Sequence, residues 1–538
     1  MRADLRPERV SARPLGELAA LLGLTTSRLE QHSSFSGQNG LRRVSGITHD
    51  SRAVRPGDLY AALAGSRYHG ARFCGQAAAA GAVAVLTDPE GRNLAVRSGL
   101  PVLVVADPRS RLGEVAAWIY GHPSGRLLLI GVTGTSGKTT TTYLLESGLR
   151  MAGHLTGLIG GIETRIGAAV HSSQLTTPEA TDLQALLAVM AERQVSAAAM
   201  EVSSHALALG RVAGTSYDVA VFTNLSQDHL DFHASLDDYF AAKTQLFTPR
   251  YARAGVVNID DEHGRLLAAA PLIPMTTVSA AGSPAADWRA ADVRAGADGS
   301  TFRVIGPGGV QADASVALPG PFNVANALGA IVALVEGGVG LATAVTGVAA
   351  CPGVPGRLER VDAGQDFTVL VDYSHKPGAV EAVLAGLRPV TQGNLAIVLG
   401  CGGDRDSAKR PLMGAAAASL ADTAILTTDN PRSEDPLAIL AEMLAGALTV
   451  PAHRRAHVII EPDRSAAIGL AVTGAGKGDV VLIAGKGHER GQYTGSSVVP
   501  FDDREVAADA LARRRAIEDA TISAGHGRGG PQLHPEDV

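Results

Sequence analysis

The chain has 538 residues, of which 46% are hydrophobic and 19% charged, and its formal net charge is −6. This composition supports several packed cores in about three or four domains, and its acidic balance excludes the basic footprint of a nucleic-acid binder. No run reaches the ~18 apolar residues of a membrane span, and the opening MRADLRPERVSARPLG lacks the apolar segment of a secretory signal. Three well-separated cysteines (Cys74, Cys351 and Cys401) imply no disulfide framework and fit a reducing cytosol.

In chain order, residues 1–14 read as a flexible N-terminus. Residues 15–124 then alternate strand-like and helix-like segments, with ITHDSRAV and DLYAALAG, a helical QAAAAGA, and AVAVLTD and LPVLVV. The turn cluster HPSG at 122–125 marks a boundary. Residues 125–353 open on LLLIGV, a buried parallel strand, followed by TGTSGKTT and a helix carrying Leu144, Leu145 and Leu149. Further strands are predicted at AAAMEVS, VAVFTNL and AGVVNID. CPGVPG at 351–356 is a second break. Residues 354–515 alternate again through FTVLVDY, NLAIVLG, TAILTTD, HVIIEP and DVVLIAGKG, and 516–538 read as a disordered Gly/Pro/His-rich tail. The expected architecture is α/β in three domains, with a central P-loop-type doubly wound domain between two smaller α/β domains.

The strand–Gly-rich turn–helix from Leu127 to about Gly153 aims backbone N–H groups and a helix N-terminus at one point, which suits a phosphate. Lys138 adds a point charge and the Thr139 hydroxyl can ligate Mg²⁺. The strict nucleotide motif has glycine six residues before the lysine. Here that position is Val132, and glycines stand instead at 131, 134 and 137. Other polar clusters also follow strands, where ligands bind in open α/β sheets. Glu201 and His205 follow AAAM, as metal ligands or as a strand-end capping cluster. Thr223–His233 follows VAVF and doubles as a helix-capping run. Lys243 sits on an apolar helix, where it can also simply snorkel. In the third domain, CGGDRDSAKRP, DNPRSEDP and GKGHE follow three strands. Arg405 and Arg432 can each clamp a carboxylate, and Glu489 can pair with an ammonium. Together they describe a site for an amino acid with more than one carboxylate. Only six of the 47 basic residues are lysines, so each lysine is more apt to be placed for its compact ammonium.

With these motifs read together (HDSRAVRPGDLYAALAG, GVTGTSGKTT, TTPEA, MEVSSHAL, FTNLSQDHLDFH, YFAAKTQLF, GPFNVANALGA, GCGGDRDSAKRP, DNPRSEDP and AGKGHE), the chain from about 45 to 510 resembles the Mur ligase family. The resemblance implies an N-terminal UDP-binding domain, a central ATP-binding domain and a C-terminal Rossmann-like domain that binds the amino acid. It implies an ATP- and Mg²⁺-dependent ligase in peptidoglycan precursor synthesis, which activates the D-glutamate γ-carboxylate of UDP-N-acetylmuramoyl-L-alanyl-D-glutamate as an acyl phosphate. The DNPR form implies diaminopimelate, meso or LL, as the added amino acid.

Carried over by position, Lys138, Glu201, His205 and Lys243 match the family's catalytic residues. Thr139, Glu201, His205 and Lys243, the last as a carbamate, match its metal site. ATP would meet Gly134, Thr135, Ser136, Gly137, Lys138, Thr139 and Thr140, with Asn224, Asn323 and Arg357. The precursor would lie along His49, Ser51, Ser66, Arg67, Tyr68, Thr176, Thr177, Ser203 and Arg211. Diaminopimelate would meet Arg405, Asp429, Asn430, Pro431, Arg432, Gly485 and Glu489. A cytoplasmic monomer without nucleic-acid or membrane partners is expected. Two stretches depart from the family: DYSHKPG at 372–378 stands where DYAHTPD is common, and SSQL at 172–175 precedes Thr176. The alternatives are the same ligase adding L-lysine or another diamino acid, a folylpolyglutamate synthase, and a non-catalytic nucleotide or precursor sensor. The N-terminal HDSR…PGDL stretch and DNPR argue against the synthase, and the complete lysine–carboxylate–histidine set argues against a pure binder.

Overall fold

The structure, a computed structural model, describes residues 5–24 and 42–526. It divides into two compact units. The first comprises most of the chain to Cys351, and the second takes over at Pro352 and also holds Arg294–Thr301 and Val316–Asn323.

The first unit opens on a four-stranded parallel sheet, Gly46–Thr48, Asp58–Ala62, Ala84–Thr87 and Val102–Val104, in that spatial order. Leu59, Leu86 and Leu103 pack with Leu112, Val115 and Ile119 of the helix Pro108–Ile119, and with Ala185 and Ala188 of the helix Ala180–Glu192. The N-terminal domain therefore shares its core with a helix of the central one, which is why the two form one compact unit.

Residues 5–14 correct the expectation of a flexible tail. Arg6 is buried and donates to both carboxylate oxygens of Asp58 at 2.7 and 2.5 Å. The Glu8 amide donates to Glu192, and Arg13–Pro14 pairs antiparallel with Arg43–Val44. The partner of Arg6 stands 52 residues away, so no local pattern announces it. Removing one member of a buried pair strands the other charge. Arg6→Ala is therefore expected to lower stability by about 3 kcal/mol in chemical denaturation, and Arg6→Ala/Asp58→Ala by less than the two single changes combined.

In the central sheet, Leu128–Thr133 lies between Ala197–Glu201 and Tyr217–Phe222, parallel to both. Alternation sends Leu129, Ala198, Met200, Ala220 and Phe222 into one cluster with Leu183 and Leu187, while Ile130, Val132, Ala199 and Val221 face the other side. The register sets Glu201 beside Val132, and Phe222 beside Thr133. The three strands thus end together, and the residues that follow them meet.

The second unit is built on a sheet ordered Glu359–Arg360, Thr368–Asp372, Val480–Ala484, Leu395–Leu399, Thr423–Leu426 and His457–Ile460, parallel except for the first strand. A fully buried pair, Arg464 with both oxygens of Asp503 at 2.7 Å, anchors the last helix, Asp503–His526. That helix corrects the disordered tail expected from 516. ALARRRAIEDA is rich in helix formers, and Arg514 donates to the carbonyls of Val472 and Ala475. The rest of that tail, 527–538, lies outside the described residues.

Candidate functional site

The loop after Leu128–Thr133 leads into the helix Lys138–Met151. Two of its glycines are required by geometry. Gly134 has φ +149°, and a Cβ there would stand 1.9 Å from the Thr223 hydroxyl; Gly137 has φ +86°, and a Cβ there would stand 2.3 Å from Asn326 Oδ1. Asn224 braces the loop from the neighbouring strand end. Its Oδ1 accepts from the Ser136 amide, its Nδ2 donates to the Ser136 carbonyl, and its own carbonyl accepts from the Thr135 amide. Thr223 Oγ1 donates to the Ser136 carbonyl at 2.7 Å, and Thr135 Oγ1 contacts the Tyr239 hydroxyl. Thr140 is buried in the first helical turn. From the sequence Thr223 reads only as the start of a capping run and Tyr239 only as part of the Lys243 helix, and Asn326 was not singled out. Asn326 stands three residues after the expected Asn323, and only the packing shows which asparagine meets Gly137. Asn323 belongs to the second unit, where its Nδ2 donates to the Pro319 carbonyl.

Two lysines converge on this loop. Lys138 Nζ donates to the carbonyls of Gly134 and Thr135, and Lys243 Nζ donates to the same Gly134 oxygen at 2.9 Å. Lys243 is 1% exposed and lies 4.3 Å above the Tyr239 ring, so it is a buried cation and not a snorkelling one. Two ammonium groups on one oxygen concentrate positive charge, which an anion in the loop offsets.

Beside them, the buried Glu201 accepts from the Thr139 hydroxyl at 3.0 Å and from the Gly161 amide at 2.9 Å. A hydroxyl and a carboxylate with few other protein ligands fit Mg²⁺. His205 stands in a ring cluster with His229, Phe232 and His233, and burial followed by the His233 charge pushes its pKa down. Among the described residues no three His, Cys, Asp or Glu side chains gather into a metal-holding group. The structure thus joins Thr139 to Glu201 but leaves His205 and Lys243 in other contacts.

The residues expected along the precursor run from this site to the N-terminal sheet. Thr177 Oγ1 donates to the Glu201 carbonyl and accepts from the Ser203 amide; Ser203 caps the next helix; Arg211 pairs with Glu179 at 2.9 Å. Thr176 stands beside Gly161. His49 Nδ1 lies 3.1 Å from Thr181 Oγ1, and Ser51 donates to Gln76. Ser66, Arg67 and Tyr68 are exposed, with Arg72 over the Tyr68 ring.

This chain matches the Mur ligase catalytic domain over 43–120, the Mur ligase middle domain over 132–334 and the Mur ligase glutamate ligase domain over 356–487. It is 60% identical to the UDP-N-acetylmuramoyl-L-alanyl-D-glutamate–2,6-diaminopimelate ligase of Streptomyces coelicolor, over 94% of this chain and 98% of that one. The chain belongs to the Mur ligase family. It is 47% identical to the Corynebacterium glutamicum protein of the same name, over 88% and 93% of the two chains. A solved structure of a ligase of that name superposes with TM-score 0.68 at 30% identity, covering 94% of this chain and all of the other. Mur ligases are ATP-dependent enzymes that form amide bonds and use a divalent metal, and the three-domain α/β architecture is theirs.

In the second unit of this Mur ligase, three strand ends bring the remaining candidates together. Asn430 Nδ2 donates to Glu489 Oε2 at 2.9 Å. Arg432 has φ +52°, and its Nη1 donates to the Gly403 carbonyl at 2.6 Å. Asp429 and Pro431 are buried on the same loop; a Cβ on Gly485 would lie 2.6 Å from Asp429 Oδ2; Arg405 is exposed. Burial pushes the Glu489 carboxyl up, countered by the Asn430 hydrogen bond. Arg410, read from the sequence only as part of the polar turn CGGDRDSAKRP, is buried and holds the loop through both oxygens of Glu434.

Arg357 lies 4.6 Å over the Tyr373 ring, which also contacts His375 and His488. In the departing DYSHKPG stretch, Ser374 donates to the Asp372 carboxylate, which also accepts from the Leu358 amide. Burial pushes the imidazoles of His375 and His488 down to about 4, reinforced by Lys376 and Arg357 respectively. The unfolded chain takes up these protons from about pH 6.5, so stability is full above that value and falls as pH drops toward 4. Each pH unit across that window removes up to about 1.4 kcal/mol per histidine. Urea denaturation between pH 7 and 4.5 is expected to show this slope, and His375→Gln to flatten it.

Proposed function

We propose that this chain adds diaminopimelate to the D-glutamate γ-carboxylate of UDP-N-acetylmuramoyl-L-alanyl-D-glutamate, a step of peptidoglycan precursor synthesis. The observation that carries this reading is the opposition of charge around Asn430, with the Glu489 carboxylate on its amide and the Arg432 guanidinium two residues along the loop. Diaminopimelate differs from lysine by a distal carboxylate. A guanidinium placed for that group favours diaminopimelate and would face an ammonium if lysine were bound. The names of the 60% and 47% identical relatives support the same substrates.

In this reading a γ-carboxylate oxygen attacks the ATP γ-phosphorus, the bond to ADP breaks, and an acyl phosphate forms. The diaminopimelate amine then attacks the acyl carbon, the carbon–oxygen bond to phosphate breaks, and the amine loses its proton. Two anions must meet in the first step, so cations must offset them. Lys138 and the loop amides of Gly134–Thr140 bind and orient the phosphates. Thr139 and Glu201 would hold Mg²⁺, which supplies charge neutralisation when bound. Lys243 stands against the phosphate loop. As a carbamate it would present oxygen donors in place of a buried cation, and His205 would join from the adjoining helix. His49, Ser51, Ser66–Tyr68, Thr176, Thr177, Ser203 and Arg211 form the track for the precursor. Asn323 and Arg357 are the two further residues that the family pattern assigns to the nucleotide. A soluble nucleotide substrate and three buried cysteines suit the cytoplasm.

Phosphate release with ATP, Mg²⁺ and the precursor tests the reading, with meso-diaminopimelate, LL-diaminopimelate and L-lysine in parallel. Release with a diaminopimelate and not with lysine is expected. Release with lysine alone, or with none of the three, overturns it.

A further inference from the structure

We propose that Lys486 is a positioning residue of the amino-acid pocket: its ammonium fixes Asn430 and Glu489 in the arrangement that receives diaminopimelate. The proposal rests on the amino-acid site read above and adds a residue to it.

Lys486 is completely buried. Its Nζ donates to Asn430 Oδ1 at 2.9 Å and to the Gly491 carbonyl at 2.7 Å, and lies 3.6 Å from Glu489 Oε2. Two hydrogen-bond acceptors and one ion-pair partner thus surround the ammonium. They come from three segments: the loop after Thr423–Leu426, the loop after Val480–Ala484, and the hairpin Gly491–Thr494/Ser497–Pro500.

The consequence is orientational. Asn430 Oδ1 accepts from Lys486 and from the Tyr493 amide at 3.1 Å, so Nδ2 of the same amide is turned onto Glu489. The hairpin that Lys486 ties down also accepts the Arg432 amide at the Tyr493 carbonyl, and returns the Gly495 amide to the Arg432 carbonyl. Gln492 Nε2 closes the set on the Asp429 carbonyl. One ammonium therefore underlies the placement of Asp429, Asn430, Arg432 and Glu489. It also sets a charge. Glu489 is desolvated in the company of Asp429, and Lys486 is the nearby cation that favours its ionised form. An ionised Glu489 is the form that pairs with a ligand ammonium. A buried cation costs more than an apolar side chain of similar volume, so packing alone does not account for it.

Lys486→Met keeps the volume and removes the charge. The expected result is a rise of about 30-fold or more in KM for diaminopimelate, with kcat and the KM values for ATP and precursor changed by no more than about threefold. In a Glu489→Gln background the same change is expected to cost much less, because the carboxylate it serves is gone. A folded Lys486→Met protein with an unchanged KM for diaminopimelate overturns the proposal, as does a parallel rise in all three KM values, the mark of a merely structural residue. Absence of wild-type turnover with diaminopimelate would instead remove the functional reading, and the proposal with it.

If Lys486→Met does not fold, wild-type protein labelled with ¹⁵N-lysine carries the test. The buried ammonium is expected to give a slowly exchanging signal that shifts with diaminopimelate and not with ATP. A signal indifferent to diaminopimelate overturns the proposal.

Discussion

Lys138→Met is expected to lower kcat by about 10³-fold, because it removes a preorganised cation from the place where the phosphate charge must be offset. The Lys138 side chain reaches back over its own loop to the carbonyls of Gly134 and Thr135, so its charge sits at the mouth of the helix N-terminus. Lys243 does not replace it. Its ammonium reaches the same Gly134 oxygen from the buried side and is held against the Tyr239 ring. Lys138 is partly exposed and donates to two carbonyls of its own loop, so the melting temperature of the variant should stay within about 2 °C of the wild type. Steady-state phosphate release with all three substrates saturating gives the rate, and a melting curve gives the control. A kcat within tenfold of the wild type would remove Lys138 from the phosphate site.

Arg432 carries the second large effect, on selectivity. Its backbone is left-handed at φ +52°, a conformation that costs most L-residues about 1–2 kcal/mol and that asparagine tolerates. Arg432→Asn is thus the cleaner probe than Arg432→Ala, since it removes the guanidinium without adding backbone strain. Loss of a bidentate partner for a carboxylate is expected to lower kcat/KM for diaminopimelate by about 10²- to 10³-fold. The value for L-lysine should rise or hold, so the preference between the two narrows sharply. Ser433→Ala, on the same loop but exposed and bonded to Asp404, should leave both values within about twofold. An Arg432→Asn protein that keeps its preference for diaminopimelate would place the discriminating contact elsewhere in the pocket, with the exposed Arg405 the first residue to test.

Both predictions depend on loops whose chemistry was legible in the sequence and whose geometry was not. GVTGTSGKTT can be read because strand, turn and helix follow one another within a few residues, and the phosphate-binding character is a property of that local backbone. DNPR and GKGHE can be read for the same reason, as polar turns at strand ends. The braces are another matter. Asn224 and Thr223 fix Ser136 from 88 and 87 positions away, and Thr141 meets Asn326 across 185. No periodicity connects such pairs, so the sequence pointed to Asn323 and passed over Asn326.

The α/β class, the order of the strands along the chain, the Gly-rich loop before Lys138 and the kinds of side chain at the strand ends are written in short-range spacing and composition. The folded chain adds that Arg6 is buried on Asp58, that the last helix runs past 515, that Lys243 donates to the Gly134 carbonyl, and that Lys486 is buried against Asn430 and Glu489. Each of these rests on a charged side chain held by a partner from a distant segment of the chain. The cost of leaving such a charge without water makes the pairing obligatory once the chain is folded, and nothing in the local sequence specifies the partner beforehand.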